Sequence, residues 1–176
     1  MPKAAVAKQV METSFITGEF LLRSGQISNE YFDKYRFEAK PQLLKQVAEL
    51  MVPLVPEGTE LLAGLEMGGI PLATMLSQLT GIPTVFVRKK PKEYGTREFA
   101  EGNSVTGKRV VIVEDVITSG GQLLLSANDL REEGAIIEHA VAVIDRQAGG
   151  VAAAQEIGID LRCVFTMSEL KASVQG

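Results

Sequence analysis

A chain of 176 residues that is 45% hydrophobic, with 17 Gly and 7 Pro, suits a single globular domain and excludes a disordered or fibrous protein. Its net charge of -4 argues against a nucleic-acid partner, which calls for a basic face, and no apolar run approaches the roughly 18 residues of a membrane span. Cys163 is the single cysteine, so no internal disulfide can form and a reducing, cytoplasmic setting is expected.

The N-terminal MPKAAVAKQVMETSF carries Glu12 and no long apolar core, so a secretory leader is not expected. Val6, Val10 and Phe15 recur at helical spacing, with a turn expected at Gly18 or Ser24-Gly25. The stretch SGQISNEYFDKYRF alternates weakly and holds three aromatics, Tyr31, Phe32 and Tyr35. Pro41 opens a helix through Leu50, proline being tolerated in a first turn. Leu61 to Leu65 reads as a short buried strand ending at Glu66. A Gly68-Gly69 turn follows, then a helix from Pro71 to Leu79 stopped at Gly81. Thr84 to Val87 reads as a second strand. Arg88 to Gly107 is polar and long for a structureless connection, as lids often are. Val110 to Val113 is a third strand, followed by a turn and a helix from about Gln122 to Glu133, stopped by Gly134. Ala140 to Ile144 is a fourth strand and Leu161 to Phe165 a candidate fifth, with Ser168 placed to cap a short final helix.

Alternating strands and helices predict an α/β fold with a parallel sheet, whose ligand sits beyond the carboxyl ends of the strands. Four strand ends carry polar or glycine-rich sequence: Glu66 to Gly69, Arg88 to Lys90, Glu114-Asp115 and Asp145-Arg146. In VVIVEDVITSGG, the turn Thr118, Ser119, Gly120, Gly121 lies between a strand and a helix. Its backbone N–H groups can form an anion nest, or its hydroxyls can simply cap the helix. Glu114 and Asp115 would repel a bare phosphate, but they suit a sugar phosphate, carboxylates taking the hydroxyls and the turn the phosphate. Neighbouring residues on a strand point to opposite faces, so only one acid, or a bend, serves one sugar directly. Glu66-Met67-Gly68-Gly69 is a second candidate anion turn. Arg88, Lys89, Lys90 and Lys92 supply cations for a polyanion. Gly102 to Lys108 has P-loop spacing, but Arg109 replaces the final hydroxyl residue and the segment precedes a strand, so it is rejected. Neither His139 nor Cys163 has the partners of a triad or metal cage.

Taken in order, FLLRSGQISNEYFD, GLEMGGIPLA, VFVRKKPKEYGT, VVIVEDVITSGG and VIDR resemble the orotate phosphoribosyltransferase family of type I phosphoribosyltransferases. The resemblance implies a central, mostly parallel sheet flanked by helices, an N-terminal hood over about residues 1–40, and a mobile catalytic loop over 88–107. It implies transfer of a phosphoribosyl group from 5-phosphoribosyl 1-diphosphate (PRPP) to orotate, with Mg2+ carried by PRPP, in a homodimer whose loops are shared between subunits. Arg88, Lys89 and Lys92 would be catalytic and would bind the diphosphate with Tyr94, Gly68 and Gly69. Glu114 and Asp115 would take the ribose hydroxyls, and Val116, Ile117, Thr118, Ser119, Gly120, Gly121 and Gln122 would form the phosphate cradle. Arg146, Arg23, Phe32 and Thr118 would meet orotate. Arg23 stands where many members carry Lys, and Tyr94 where many carry His. Arginine keeps the charge but changes its shape, whereas tyrosine cannot be cationic near neutral pH. Two other readings stay open: a PRPP-binding regulator without turnover, and a purine phosphoribosyltransferase.

Overall fold

The computed structural model describes residues 1–91, 93–94 and 98–175. Helix α1 (Lys3–Ser14) buries Val6, Ala7, Val10 and Met11 along one side. It gives way directly to β1 (Phe15–Leu21), which pairs antiparallel with β2 (Ile27–Phe32). The reversal falls at Ser24-Gly25, where Gly25 takes φ 83° and its N–H donates to the Leu22 carbonyl. Gly18 lies within β1, beside a shift in strand register, rather than at the turn. This hairpin stands apart from the main sheet. A short α2 (Tyr35–Glu38) and α3 (Pro41–Met51) lead on to the sheet.

The main sheet is built from β3 (Leu61–Leu65), β4 (Thr84–Val87), β5 (Ala100–Gly102), β6 (Arg109–Ile117), β7 (Ile136–Asp145) and β8 (Asp160–Thr166). Its order is β5-β4-β3-β6-β7-β8, all parallel except β5, which runs antiparallel to β4. The connecting helices are α4 (Gly69–Thr80), α5 (Gly121–Glu132) and α6 (Gly150–Glu156), and α7 (Met167–Ala172) follows the last strand. Apolar residues fill both faces. Leu62, Val111, Val113, Val141 and Val143 pack with α1, α3 and α4 on one side, whereas Ala63, Ile112, Ala140 and Ala142 pack with α5 on the other. That is why β3 reads as an unbroken buried run rather than alternating.

Four local expectations change. The 88–107 segment is not wholly loop: Ala100–Gly102 pairs with β4, satisfying backbone groups that an edge strand would otherwise expose. Strand β6 does not stop at Val113. It continues through Glu114 to Ile117 because β7 runs alongside it as far as Asp145. Helix α6, opening at Gly150, carried no helical signal strong enough to be read beforehand. The final helix is capped by Thr166, whose hydroxyl accepts from the Glu169 N–H in a reciprocal capping box. Ser168 lies inside that helix and bonds Gln147. The Gly102 to Lys108 segment leads into a strand, where no phosphate loop can form.

Candidate active site

The carboxyl ends of β3 and β6 open onto a cavity of about 300 Å³. One wall is Glu66, Met67 and Gly68. The other is Glu114, Val116, Ile117 and the turn from Thr118 to Gln122, and the cations Arg23, Lys34 and Lys89 also line the space. The first turn contains a cis Glu66–Met67 peptide, and the Glu66 carboxylate accepts the Lys89 N–H at 2.5 Å, tying it to the end of β4. In the second turn the residue before α5 is Gly120, at φ 84°, and no side chain caps the helix. Thr118 and Ser119 are therefore not spent on capping, and the first N–H groups of α5 keep their capacity for an anion. Gly120 rests against Gly150, whose N–H donates to the Thr118 carbonyl at 3.1 Å. Gly149-Gly150, which match no dinucleotide fingerprint, thus buttress the turn from behind.

The two acids part company. Glu114 lines the cavity, and burial followed by the charge of Asp115 pushes its carboxyl up to about 8. Asp115 is 1% exposed and forms an ion pair of 2.7 Å with Lys34. Its second oxygen accepts the Val116 N–H at 2.6 Å. Burial pulls the Lys34 ammonium down, but the adjacent Asp115 outweighs it and the net shift is upward.

A second cavity of about 610 Å³ adjoins the first. Arg23, Thr118 and Ser119 line both. Phe32, Ser24 and Ser28 from the hairpin line the second cavity across from Arg146, which follows β7 and whose N–H donates to the Ile117 carbonyl. The structure therefore gathers Arg23, Phe32, Thr118 and Arg146 into one space. Among the other candidates, Gly69 packs under the sheet end against the Val113 carbonyl. Arg88 is ion-paired with Glu101 of β5 at 3.2 Å, and Tyr94 is 72% exposed. Lys92 lies outside the described residues.

Sequence reading passed over Lys34 and Tyr35 in the first cavity, and Lys171 in the second. The available signal for Lys34 was a cation set among aromatics in YFDKYRF, just beyond the hairpin.

Residues 35–160 match the phosphoribosyl transferase domain family. The orotate phosphoribosyltransferase of Nocardioides sp. is 51% identical over 170 residues, covering 97% of this chain and 95% of its own. The chain belongs to the orotate phosphoribosyltransferases. Among solved structures, Mycobacterium tuberculosis H37Rv orotate phosphoribosyltransferase with Fe(III) dicitrate superimposes at a TM-score of 0.86, with 29% identity over 96% of this chain and 98% of that one. The same enzyme in complex with PRPP gives 0.82, with 27% identity and the same coverage. Membership fits the joined cavities, one rich in anion-binding backbone and the other lined by arginine and aromatic side chains. Among the described residues, no group of three or more His, Cys, Asp or Glu could hold a metal ion by itself, and no helix is long and apolar enough to cross a membrane.

Proposed function

We propose that this chain transfers the 5-phosphoribosyl group from PRPP to orotate, giving orotidine 5′-monophosphate and pyrophosphate, a step in pyrimidine nucleotide synthesis. The observation that carries this reading is the pair of cavities joined at Arg23, Thr118 and Ser119. The phosphate would sit on the Thr118 to Gln122 turn and the α5 N-terminus, the diphosphate against Glu66 to Gly69 and Lys89, and orotate beside Arg146. Arginine suits a carboxylate because its planar fork can donate two parallel hydrogen bonds. The ribose hydroxyls would donate to Glu114, favouring its carboxylate form over the protonated form that burial favours.

The reaction is a substitution at the anomeric carbon. A bond from the orotate ring nitrogen forms as the carbon–oxygen bond to pyrophosphate breaks; the electron pair leaves with pyrophosphate, and the proton of the ring nitrogen is released to solvent or to the departing pyrophosphate. The transition state is oxocarbenium-like. No side chain has to act as nucleophile. The chain's work is to align the two substrates and stabilise charge growing on the leaving group, through Lys89 and, from the 88–107 segment, Arg88 and Lys92. Arg88 would exchange Glu101 for the diphosphate. Glu66 and Glu114 share the cavity, a donor set suited to an ion arriving on PRPP rather than one caged by protein. Mg2+ bound there would neutralise diphosphate charge. A cytoplasmic homodimer, each loop reaching the neighbouring site, completes the proposal and is checked by light scattering of the purified protein.

The deciding assay follows orotate absorbance after PRPP and magnesium are added. Loss of absorbance with release of pyrophosphate supports the reading. Conversion of adenine or a guanine-type base instead would select a purine enzyme, and PRPP binding without turnover of any base a regulator.

A further inference from the structure

We infer that Lys34 and Glu38 are positioning residues for the PRPP half of the site and act through Asp115. Three parts of the molecule meet at the Asp115 carboxylate. The Lys34 ammonium, just before α2, lies 2.7 Å from Oδ2. The N–H of Val116, in the cavity wall, donates to Oδ1 at 2.6 Å. Gly68 presses so closely that a Cβ there would overlap the carboxylate. One buried side chain therefore touches both the turn assigned to the diphosphate and the strand end that presents Glu114. Lys34 is its counter-charge, and it also lies 5.4 Å from the centre of the Tyr35 ring.

Glu38 completes the cluster. It is 6% exposed, both carboxyl oxygens are buried, and in its protonated form it can donate a hydrogen bond to the Asp115 carboxylate. Burial and then the charge of Asp115 push it up to about 9, so it is the protonated member at neutral pH. A neutral Glu38 leaves Lys34 and Asp115 as a matched pair, with Glu114 and Tyr35 the other titratable groups acting on them. Without Lys34, Asp115 would be a buried uncompensated charge, and its carboxylate would be displaced. That displacement shifts the Gly68 turn and Glu114 together, whereas Arg146 is tied to β6 at Ile117, two residues beyond Asp115, and Phe32 lies on the hairpin.

The inference rests on PRPP occupying the first cavity, so the test reads PRPP binding directly, by calorimetry with magnesium, whatever base is used. Lys34→Met should weaken PRPP binding roughly tenfold or more, Lys34→Arg should recover most of that loss, and orotate KM should change little. The cycle with Asp115→Asn decides the route. If Lys34 acts through Asp115, Lys34→Met adds nothing in the Asp115→Asn background. Full additivity would instead mean that Lys34 meets PRPP itself and would overturn the inference. An unchanged PRPP affinity, or equal losses for both substrates, would also overturn it. Should Lys34→Met not fold, the double variant has no stranded charge, and its comparison with Asp115→Asn still answers the question. Glu38→Leu should weaken PRPP binding and Glu38→Gln restore it; equal losses in both would remove Glu38. A wild-type protein that binds no PRPP would overturn the functional reading itself, and this inference with it.

Discussion

Gly68 and Asp115 are packed so closely that only a hydrogen fits between the Gly68 Cα and the buried carboxylate. The backbone at Gly68 is ordinary, at φ -71° and ψ -24°, so space rather than conformation demands glycine here. Gly68→Ala should destabilise the fold by about 1–3 kcal/mol, the usual cost of overpacking. It should also weaken PRPP binding, because relief requires the turn or Asp115 to move. Urea denaturation and calorimetry check the two effects, and a variant normal in both would show that the packing tolerates a methyl group.

Gly150 stands behind the Thr118 to Gly121 turn in the same way. A Cβ there would press on the Ile117 side chain and lie 2.8 Å from the Thr118 carbonyl oxygen. Gly150→Ala should displace the turn and lower kcat/KM for PRPP by roughly a hundredfold, as a misplacement near 1 Å can. Wild-type kinetics in a folded variant would remove the buttress from the argument.

In the proposed reaction Arg146 meets the orotate carboxylate and so carries the choice of base. Its replacement by Leu should raise the orotate KM roughly 10- to 100-fold, since a hydrogen bond to a charged group contributes about 1.5–3 kcal/mol and about 1.4 kcal/mol is a factor of ten. PRPP affinity should stay near wild type. Steady-state kinetics with each substrate varied separates the two parameters.

Lys92→Ala should cut turnover by roughly two to three orders of magnitude, because a donor aimed at developing negative charge is typically worth about 2.7–4 kcal/mol. Circular dichroism should be unchanged. Retained turnover would take Lys92 out of the mechanism.

Glu38 ties stability to pH. Its carboxyl is raised from 4.5 to about 9 in the folded chain, so between those values the folded state holds a proton that the unfolded state has released. The contribution of Glu38 to stability is therefore full below about 4.5 and lost progressively as pH rises toward about 9. Urea midpoints for wild type should fall across that window more steeply than for Glu38→Gln, which has no proton to lose. Parallel curves would mean that Glu38 is not the group responsible.

The elements read correctly in advance are those written in consecutive residues. The Leu61–Leu65 and Thr84–Val87 strands have the bounds expected of them, and the Thr118 to Gly121 turn lies between a strand and a helix. Apolar runs and glycine-rich turns act over a few neighbouring residues, so they leave a local record. The hairpin β1–β2 was legible only as weak alternation, because it packs over the site rather than within the central core. The strand Ala100–Gly102 was hidden in a polar loop, because its pairing depends on an edge strand elsewhere in the chain.

The sequence alone placed two adjacent acids and a glycine-rich turn together at the end of one apolar run, which already pointed to a ribose phosphate rather than a bare phosphate. It also indicated that two adjacent acids on a strand could not both face one sugar unless the strand bent there. Only the tertiary structure decided which acid lines the cavity and what the other does. Glu114 faces the space, whereas Asp115 is buried against Gly68 and paired with Lys34, residues far from it in the chain. The reason is physical: local sequence sets backbone direction and periodicity, but the environment of a charge depends on what the fold brings against it.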